Sequence, residues 1–438
     1  MNIDPYILEW LNLVLRFIHL VTGIAWIGAS FYFVWLDNHL QTPPAWKVDK
    51  GIKGDLWAIH GGGFYEVAKY KLAPEQLPES LHWFKWEAYS TWISGFLLLS
   101  LMYYVGAQTY LIDPRVAALS QREAVLIGIV AIFGSWFVYD GLCQTRLANR
   151  AWLLGLLLLI LLGVLSFGLS LLFSARGAYI HIGAIIGTMM VGNVFRVIIP
   201  SQKALVAAVT EGGEPDAAWS VKAKLRSTHN TYATLPLLFV MISGHYPITY
   251  NHPYAWLVLI GLVVITAGIR QYFVLRHRKV NKPILLILAV IGTIMLAVAI
   301  APERLVSTEA SSLPTKGSLL AEGSLSAEGS LLAEGSLLAE GSLSTEGSLL
   351  AEGSRPVDDS QVMEIIVKRC VSCHSRTPTD DIFVVAPMGV VFDEPDDLRQ
   401  WKVRIGARSV DSTGMPLMNK TQMTRGEREY LGRWVGET

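Results

Sequence analysis

The sequence predicts an all-α protein: a polytopic transmembrane helix bundle followed by a small globular domain. Three observations lead to this prediction. The mean hydropathy is +0.40, and charged residues make up only 16% of the 438 residues, a low share for a soluble chain. Apolar runs of membrane-spanning length recur through residues 1–301. A compact motif near the C-terminus then holds two of the three cysteines.

About eight apolar runs are long enough to cross the hydrocarbon core of a bilayer. The first run is too long for a cleavable signal and has no basic region before it. The sixth run is the weakest, because Pro236 interrupts it and the polar pair His229 and Asn230 opens it. The runs cover residues 8–36, 84–107, 123–142, 152–174, 178–199, 229–244, 254–275 and 283–301.

Loop charge predicts the orientation of this bundle. With the N-terminus outside, the outside loops hold only Arg115, Arg122 and Arg176. Cytoplasmic loops of membrane proteins carry the excess of Lys and Arg, and an even number of spans returns the C-terminus to the outside. The inside loops hold Lys47, Lys50, Lys53, Lys69, Lys71, Arg146, Arg150, Lys203, Lys222, Lys224, Arg226, Arg276, Arg278, Lys279 and Lys282.

The segment Cys370-Val371-Ser372-Cys373-His374 has the spacing of a c-type haem attachment site. The two thiols of such a motif bond covalently to the haem, and the adjacent histidine is the proximal iron ligand. A structural zinc site normally has four ligands, and the sequence offers no second cysteine pair. The motif therefore predicts covalently bound haem c, with Cys370, Cys373 and His374 as cofactor-binding residues.

The surroundings of the motif resemble a class I cytochrome c. A helical stretch, Val362 to Lys368, leads into the motif, and Met415-Pro416 resembles the loop that supplies the axial thioether. Met415 is the predicted sixth iron ligand, with Met418 as the alternative. A final helix begins after Thr424, which can form a capping box with Glu427. His/Met ligation suits an electron carrier of raised reduction potential.

A low-complexity segment connects the two parts. From Gly317 to Ser354 it repeats Gly-Ser-Leu-Leu-Ala-Glu and close variants with a period of six. A β-helix also has six-residue repeats, but this segment is too short to build a core of stacked coils. We therefore predict three domains: a transmembrane domain over residues 1–301, a flexible tether over 302–355, and a cytochrome c domain over 356–438.

Ionisable residues inside the predicted spans are candidate functional groups, because they are costly in a membrane and usually face the protein interior. Arg16 and His19 fall in the outer half of the first span, and His181 opens a polar stripe on the fifth. His19, His181 and His245 are possible ligands of an intramembrane haem b, since imidazole is a common axial ligand. Alternatively, Arg16 extends to the outer interface and the histidines are packed, hydrogen-bonded bundle residues.

Several stretches of the chain carry a resemblance to a known family. They are Arg16–Gly28, His60–Tyr65, His82–Tyr89 and Gly192–Pro200, together with Cys370–His374. With these stretches the chain resembles the bacterial membrane-bound urate hydroxylases with a fused cytochrome c. The resemblance covers residues 1–301 and roughly 356–438, and the hexapeptide tether is an apparent insertion.

The resemblance implies oxidation of urate to 5-hydroxyisourate, with electrons leaving through the cytochrome rather than forming hydrogen peroxide. Urate at neutral pH is a planar monoanion, so Arg16 or Arg196 would attract it and tryptophan rings would flank it. His19 or His181 would act as the base. The expected catalytic residues are thus Arg16, His19 and His181.

The expected setting is the bacterial inner membrane, with the N-terminus and the cytochrome periplasmic. The partners would be membrane lipid and a downstream respiratory electron acceptor, with no nucleic acid. Two other functions remain open from the sequence. One is a different membrane dehydrogenase, such as a quinol-oxidising one, that feeds the haem. The other is a transporter or anchor that carries an electron-transfer cytochrome without being an enzyme.

Overall fold

The computed structural model describes residues 5–301, 357–380, 383, 386–411 and 414–436. The predicted tether, residues 302–355, lies outside the described residues. Most of the described chain is helical. The upstream helices are α1 (Pro5–His39), α2 (Ala45–Asp49), α3 (Trp86–Leu99), α4 (Ala107–Tyr110), α5 (Gln121–Gln144), α6 (Ala151–Ser170), α7 (Ala175–Gly192), α8 (Ile199–Thr210), α9 (Ala217–Ser243), α10 (Pro247–Tyr250), α11 (Ala255–His277) and α12 (Ile284–Ala299).

Six helices of the described chain are long and apolar enough to cross a membrane. A helix also occurs at each of the two remaining predicted spans. The run 229–244 belongs to α9, whose first half is polar and contains the buried Arg226. The last run forms α12, which has only 16 residues. The six candidate spans are Trp10–His39, Trp86–Val105, Gln121–Gln144, Ala151–Ser170, Ala175–Thr210 and Ala255–His277.

The all-α prediction is wrong for one segment, which forms an antiparallel hairpin of β1 (Ile52–His60) and β2 (Gly63–Tyr70). The turn residues Gly61 and Gly62 have φ values of +57° and +82°. Two consecutive residues with positive φ make the tight turn that matches the twist of paired strands. The hairpin lies between α1 and α3, in the loop that the charge pattern predicts to be inside.

Two π-helical segments interrupt the bundle helices. Ser100–Val105 continues α3, and Asn193–Ile198 joins α7 to α8. Such segments are rare, and they often occur at functional sites because they change which side chains point inward. The first presents Tyr103 and Tyr104 to the main buried core, and the second places Asn193 in the interior.

The described part of the C-terminal segment contains three α-helices around a core of its own, with a π-helical segment, Gly406–Asp411, after the second. They are α13 (Asp359–Arg369), α14 (Pro395–Ile405) and α15 (Arg425–Gly436). The predicted capping box is confirmed, because the Thr424 N–H donates to Glu427 Oε2 at 2.6 Å and the Glu427 N–H donates to Thr424 Oγ1 at 3.3 Å. The core contains Val362, Ile366, Cys370, Phe392, Leu398, Trp401, Leu431 and Trp434.

Candidate functional site

The thiol pair lies at the end of α13, beside the C-terminal core. Cys370 is buried in that core and Cys373 is half-buried. The His374 N–H donates to the Cys370 carbonyl at 2.9 Å, so one turn brings both thiols and the imidazole to the same region. Neither cysteine is in a disulfide. Burial raises the pKa of Cys370 to about 12 and also raises the pKa of Cys373, so both side chains are thiols at neutral pH.

The His374 ring is held in the orientation that an iron ligand needs. Its Nδ1 hydrogen-bonds the Val390 carbonyl at 2.9 Å, which leaves Nε2 as the ligand atom. The Phe392 ring lies 5.1 Å away, centroid to centroid. Burial lowers the pKa of His374, which favours the neutral imidazole that binds metal. This donor set fits a c-type haem, with Cys370 and Cys373 as attachment points.

A clustered zinc site does not fit. Within the described residues, no group of three or more His, Cys, Asp or Glu side chains could hold a metal ion. A haem iron, in contrast, takes four of its ligands from the porphyrin and needs only axial ligands from the protein.

Met415 lies in a loop that two arginines hold. Its N–H donates to the Arg408 carbonyl at 2.8 Å, and its carbonyl accepts from Arg428 Nη1 at 2.7 Å. The Met415–Pro416 peptide bond is cis. The alternative ligand, Met418, has its side chain outside the described set. Met415 stays the predicted sixth ligand, and Met418 stays the alternative.

Arg16 and His19 both face α3 and its π-helical extension. Arg16 donates to Asn12 Oδ1 through Nε at 2.6 Å and contacts Met102 Sδ through Nη2 at 2.9 Å. His19 Nδ1 lies 2.9 Å from the Thr91 carbonyl. Gly95 makes room for this imidazole, since a Cβ there would lie 2.7 Å from His19 Cε1.

His181 is fully buried in the bundle core, and both of its ring nitrogens are engaged. Nδ1 bonds the Gly177 carbonyl at 2.8 Å, and Nε2 lies 3.3 Å from the Tyr104 hydroxyl. This geometry supports the packed, hydrogen-bonded interpretation of His181. His245 follows α9 and is exposed. His19, His181 and His245 thus have different surroundings: the face of α3, the bundle core and the surface.

Sequence reasoning missed a buried polar network that joins α5, α9 and the second π-helical segment. The fully buried Arg226 pairs with Asp140 at 2.6 Å and donates to Asn193 Oδ1 at 3.3 Å. Tyr139 bonds His229 Nδ1 at 2.8 Å, and Asn193 Nδ2 donates to Asn230 Oδ1 at 2.8 Å. The helical spacing of Arg226, His229 and Asn230, three and four positions apart, was the available signal. Because its members bond one another, the network fixes the helices and has few free groups for a ligand.

The C-terminal segment contacts the loops at one end of the bundle. Arg404 Nη2 donates to the Ile112 carbonyl at 2.8 Å. The guanidinium of Arg115 lies 4.6 Å from the Trp401 ring, and that of Arg408 lies 4.5 Å from the Tyr110 ring. These loops are the ones that the charge pattern predicts to be outside.

A cavity of about 460 Å³ lies at this contact, and we name it the junction cavity. Ligand pockets commonly have volumes of about 300–1,000 Å³. The cavity is lined by polar residues from two loops of the bundle and by residues from the C-terminal segment. Because these segments are far apart in sequence, no local pattern could predict the cavity. These lining residues include Asp113, Arg115, Asn251, His252, Met388 and Gly389.

Comparison with known proteins gives one match. A family model described as "Urate oxidase N-terminal" matches residues 5–301, which is more than half of the chain. The matched range covers the helical bundle and ends before the C-terminal segment. No curated protein and no solved structure matches the chain.

Proposed function

Because the chain belongs to the urate oxidase N-terminal family, we propose that it oxidises urate to 5-hydroxyisourate and passes the electrons to a haem c on its own C-terminal domain. The family supports an oxidoreductase that acts on urate. The long apolar helices are compatible with a membrane protein. The electron acceptor and the domain division at residues 301 and 356 are parts of the proposal.

One observation supports haem c as the electron acceptor. The segment Cys370–His374 combines two thiols outside any disulfide with an imidazole whose Nδ1 bonds a backbone carbonyl. Such a bond orients a ligating histidine and increases its basicity. The same domain contacts the bundle through Arg404 and Arg115. An acceptor would therefore belong to the same chain as the urate-oxidising part and would lie against it.

The chemistry balances with this acceptor. Urate and water give 5-hydroxyisourate, two protons and two electrons. A haem c supplies a one-electron acceptor, so each urate requires two reductions or an intermediate carrier. Cys370 and Cys373 would bond the haem covalently, and His374 and Met415 would be its axial ligands.

An intramembrane haem b would be such a carrier, and its ligand would come from the membrane histidines. Of the three candidates, His19 fits best, because the bond from its Nδ1 to the Thr91 carbonyl is the one that ligating histidines make. His181 has both nitrogens occupied within the described structure. We therefore propose His19 as a haem ligand rather than as the base, because Nδ1 bonds the Thr91 carbonyl and Nε2 would bind iron. Arg16, which contacts Asn12 and Met102, and the buried His181 would have positioning roles in the bundle.

The proposed setting is the bacterial inner membrane, with the C-terminal domain periplasmic. Two arguments support it. The sparsely charged loops with Arg115 and Arg176 are the ones that the C-terminal domain contacts. Haem c is attached on the periplasmic side of that membrane. A downstream respiratory acceptor would then reoxidise the haem.

Removing both thiols tests the proposal. Membranes with Cys370→Ser and Cys373→Ser together should lack covalent haem and should lose urate-dependent reduction of an added electron acceptor under anaerobic conditions. Cys143→Ser is the matched control, because Cys143 lies in α5 and should leave both properties unchanged. A double variant that consumed urate at the wild-type rate without haem c would contradict the proposal.

A further inference from the structure

We propose that the junction cavity binds the urate monoanion, with Arg115 and Asn251 recognising one edge of the purine ring. This inference rests on the proposed function and adds the position of the substrate. Arg115 takes the role of urate-binding cation that the sequence predicted for Arg16 or Arg196. Arg16 already bonds Asn12 and Met102, and Arg196 is exposed.

Asn251 supplies the unmet hydrogen-bonding group of the cavity. Its Nδ2 donates to the Ala386 carbonyl across the domain contact. Its Oδ1 is buried and has no partner in the described structure. A buried acceptor without a donor is costly, so the site favours a ligand that brings an N–H. Urate has such groups around its ring.

Arg115 supplies the positive group. Asp113 accepts from its Nε at 3.2 Å and its Nη2 at 3.0 Å, and the Trp401 ring centroid lies 4.6 Å from the guanidinium carbon. These contacts fix the side chain, and the two bonds to Asp113 involve Nε and Nη2 rather than Nη1. A guanidinium held in this way can donate to an anionic ring oxygen without further ordering.

Gly389 places these two groups side by side. A Cβ on this residue would lie 3.4 Å from Arg115 Nη2 and 3.6 Å from Asn251 Oδ1. Its φ of +67° is the left-handed conformation that glycine tolerates best. The donor Arg115 and the acceptor Asn251 therefore lie on either side of the space above Gly389. Together they complement a C–O group and a neighbouring N–H group on the edge of the urate ring.

The rest of the cavity suits a flat anion. Tyr250, Tyr254, Phe167 and Trp256 line it with aromatic rings. Asp113 is the one carboxylate among its described lining residues, and it already pairs with Arg115. Arg404 and Arg408 add positive charge nearby, since both have Arg115 or Tyr110 as neighbours. The field at the junction thus attracts a monoanion.

The test measures urate binding apart from turnover. In anaerobic holoprotein that dithionite has reduced, the haem c can take no further electrons from urate. Equilibrium dialysis of labelled urate therefore measures the Kd without turnover. Arg115→Gln should raise the Kd about ten-fold or more, the usual effect of losing a charged hydrogen bond. Gly389→Ala should also raise it, because the added methyl occupies the space between Arg115 and Asn251. Arg122→Gln, an exposed arginine at the same end of α5, should not change it.

The haem c spectrum checks that each variant is folded and loaded. Two failures can be distinguished. If wild-type protein reduces haem c with urate but both variants keep the wild-type Kd, the substrate lies elsewhere and only this inference is overturned. If wild-type protein neither binds urate nor reduces haem c with it, the proposed function itself fails.

Discussion

At the scale of single residues, the ion pair between Arg369 and Glu427 joins the first and last helices of the C-terminal domain. Arg369 donates to Glu427 Oε1 through Nε at 3.0 Å and Nη2 at 2.9 Å. The second carboxylate oxygen accepts from the Thr424 N–H. Burial acts to raise the pKa of Glu427, but the bonds to Thr424 and Arg369 outweigh it, and the net shift is downward.

This shift predicts a pH-dependent stability. A carboxyl with a lowered pKa stabilises the fold above its ordinary value of about 4.3, and the contribution disappears as the pH falls through the folded pKa. Glu427→Gln should therefore lower the midpoint of thermal unfolding at pH 7. Unfolding is measured through the absorbance of haem c. The difference from wild type should shrink as the pH falls below about 4. Glu364→Gln on α13, which is exposed, should show no such pattern. A constant deficit at every pH would exclude the electrostatic explanation.

Three histidines show which surroundings of a single residue can be predicted from the sequence and which cannot. His19, His181 and His374 each bond a backbone carbonyl through Nδ1. Only His374 follows two cysteines, so only its proposed role as an iron ligand comes from five consecutive residues. The surroundings of His181 could not be predicted, because Tyr104 lies 77 positions away along the chain. Asn251 and Arg115 were missed for the same reason.

At the scale of secondary-structure elements, the bundle depends on glycines where helices meet. A Cβ on Gly128 of α5 would lie 2.6 Å from His181 Nε2 and 3.0 Å from the Tyr104 hydroxyl. Real Cβ atoms do not approach so closely, and the fully buried His181 ring has little room to move. Gly134, on the same helix, has no atom within 4 Å of such a Cβ.

The two glycines therefore predict opposite results. Gly128→Ala should destabilise the bundle by about 1–3 kcal/mol, the usual cost of overpacking a core. Gly134→Ala should be neutral or slightly stabilising, because alanine favours a helix. Thermal unfolding in detergent compares the two variants. Equal midpoints would show that α5 and α7 are not packed around His181 as described here.

Element prediction succeeded where one physical signal dominated. Hydropathy located a helix at each of the eight predicted spans, and the turn chemistry of Thr424 and Glu427 located the last helix. The hairpin was missed, although Gly61 and Gly62 between two apolar-rich runs are a hairpin signal. The π-helical segments have no simple sequence signature. Their backbone depends on tertiary packing, such as that of Asn193 against α5 and α9.

At the scale of the whole molecule, the sequence predicted that both termini lie outside, and the C-terminal domain contacts the loops assigned to that side. The contacts of Arg404 with Ile112 and of Asn251 with Ala386 connect segments that are more than 100 positions apart in sequence. Neither composition nor periodicity contains this information. The junction cavity could therefore be found only from the folded structure, although the need for a cation and aromatic walls followed from the chemistry of urate.

The central claim is that urate oxidation and haem c reduction occur in one chain. The most direct measurement mixes urate with oxidised, haem-loaded protein without oxygen and follows the haem c absorption bands. The account predicts reduction of the haem, appearance of 5-hydroxyisourate, and two equivalents of haem c reduced for each urate consumed. A haem that stays oxidised with urate but is reduced by dithionite would contradict it.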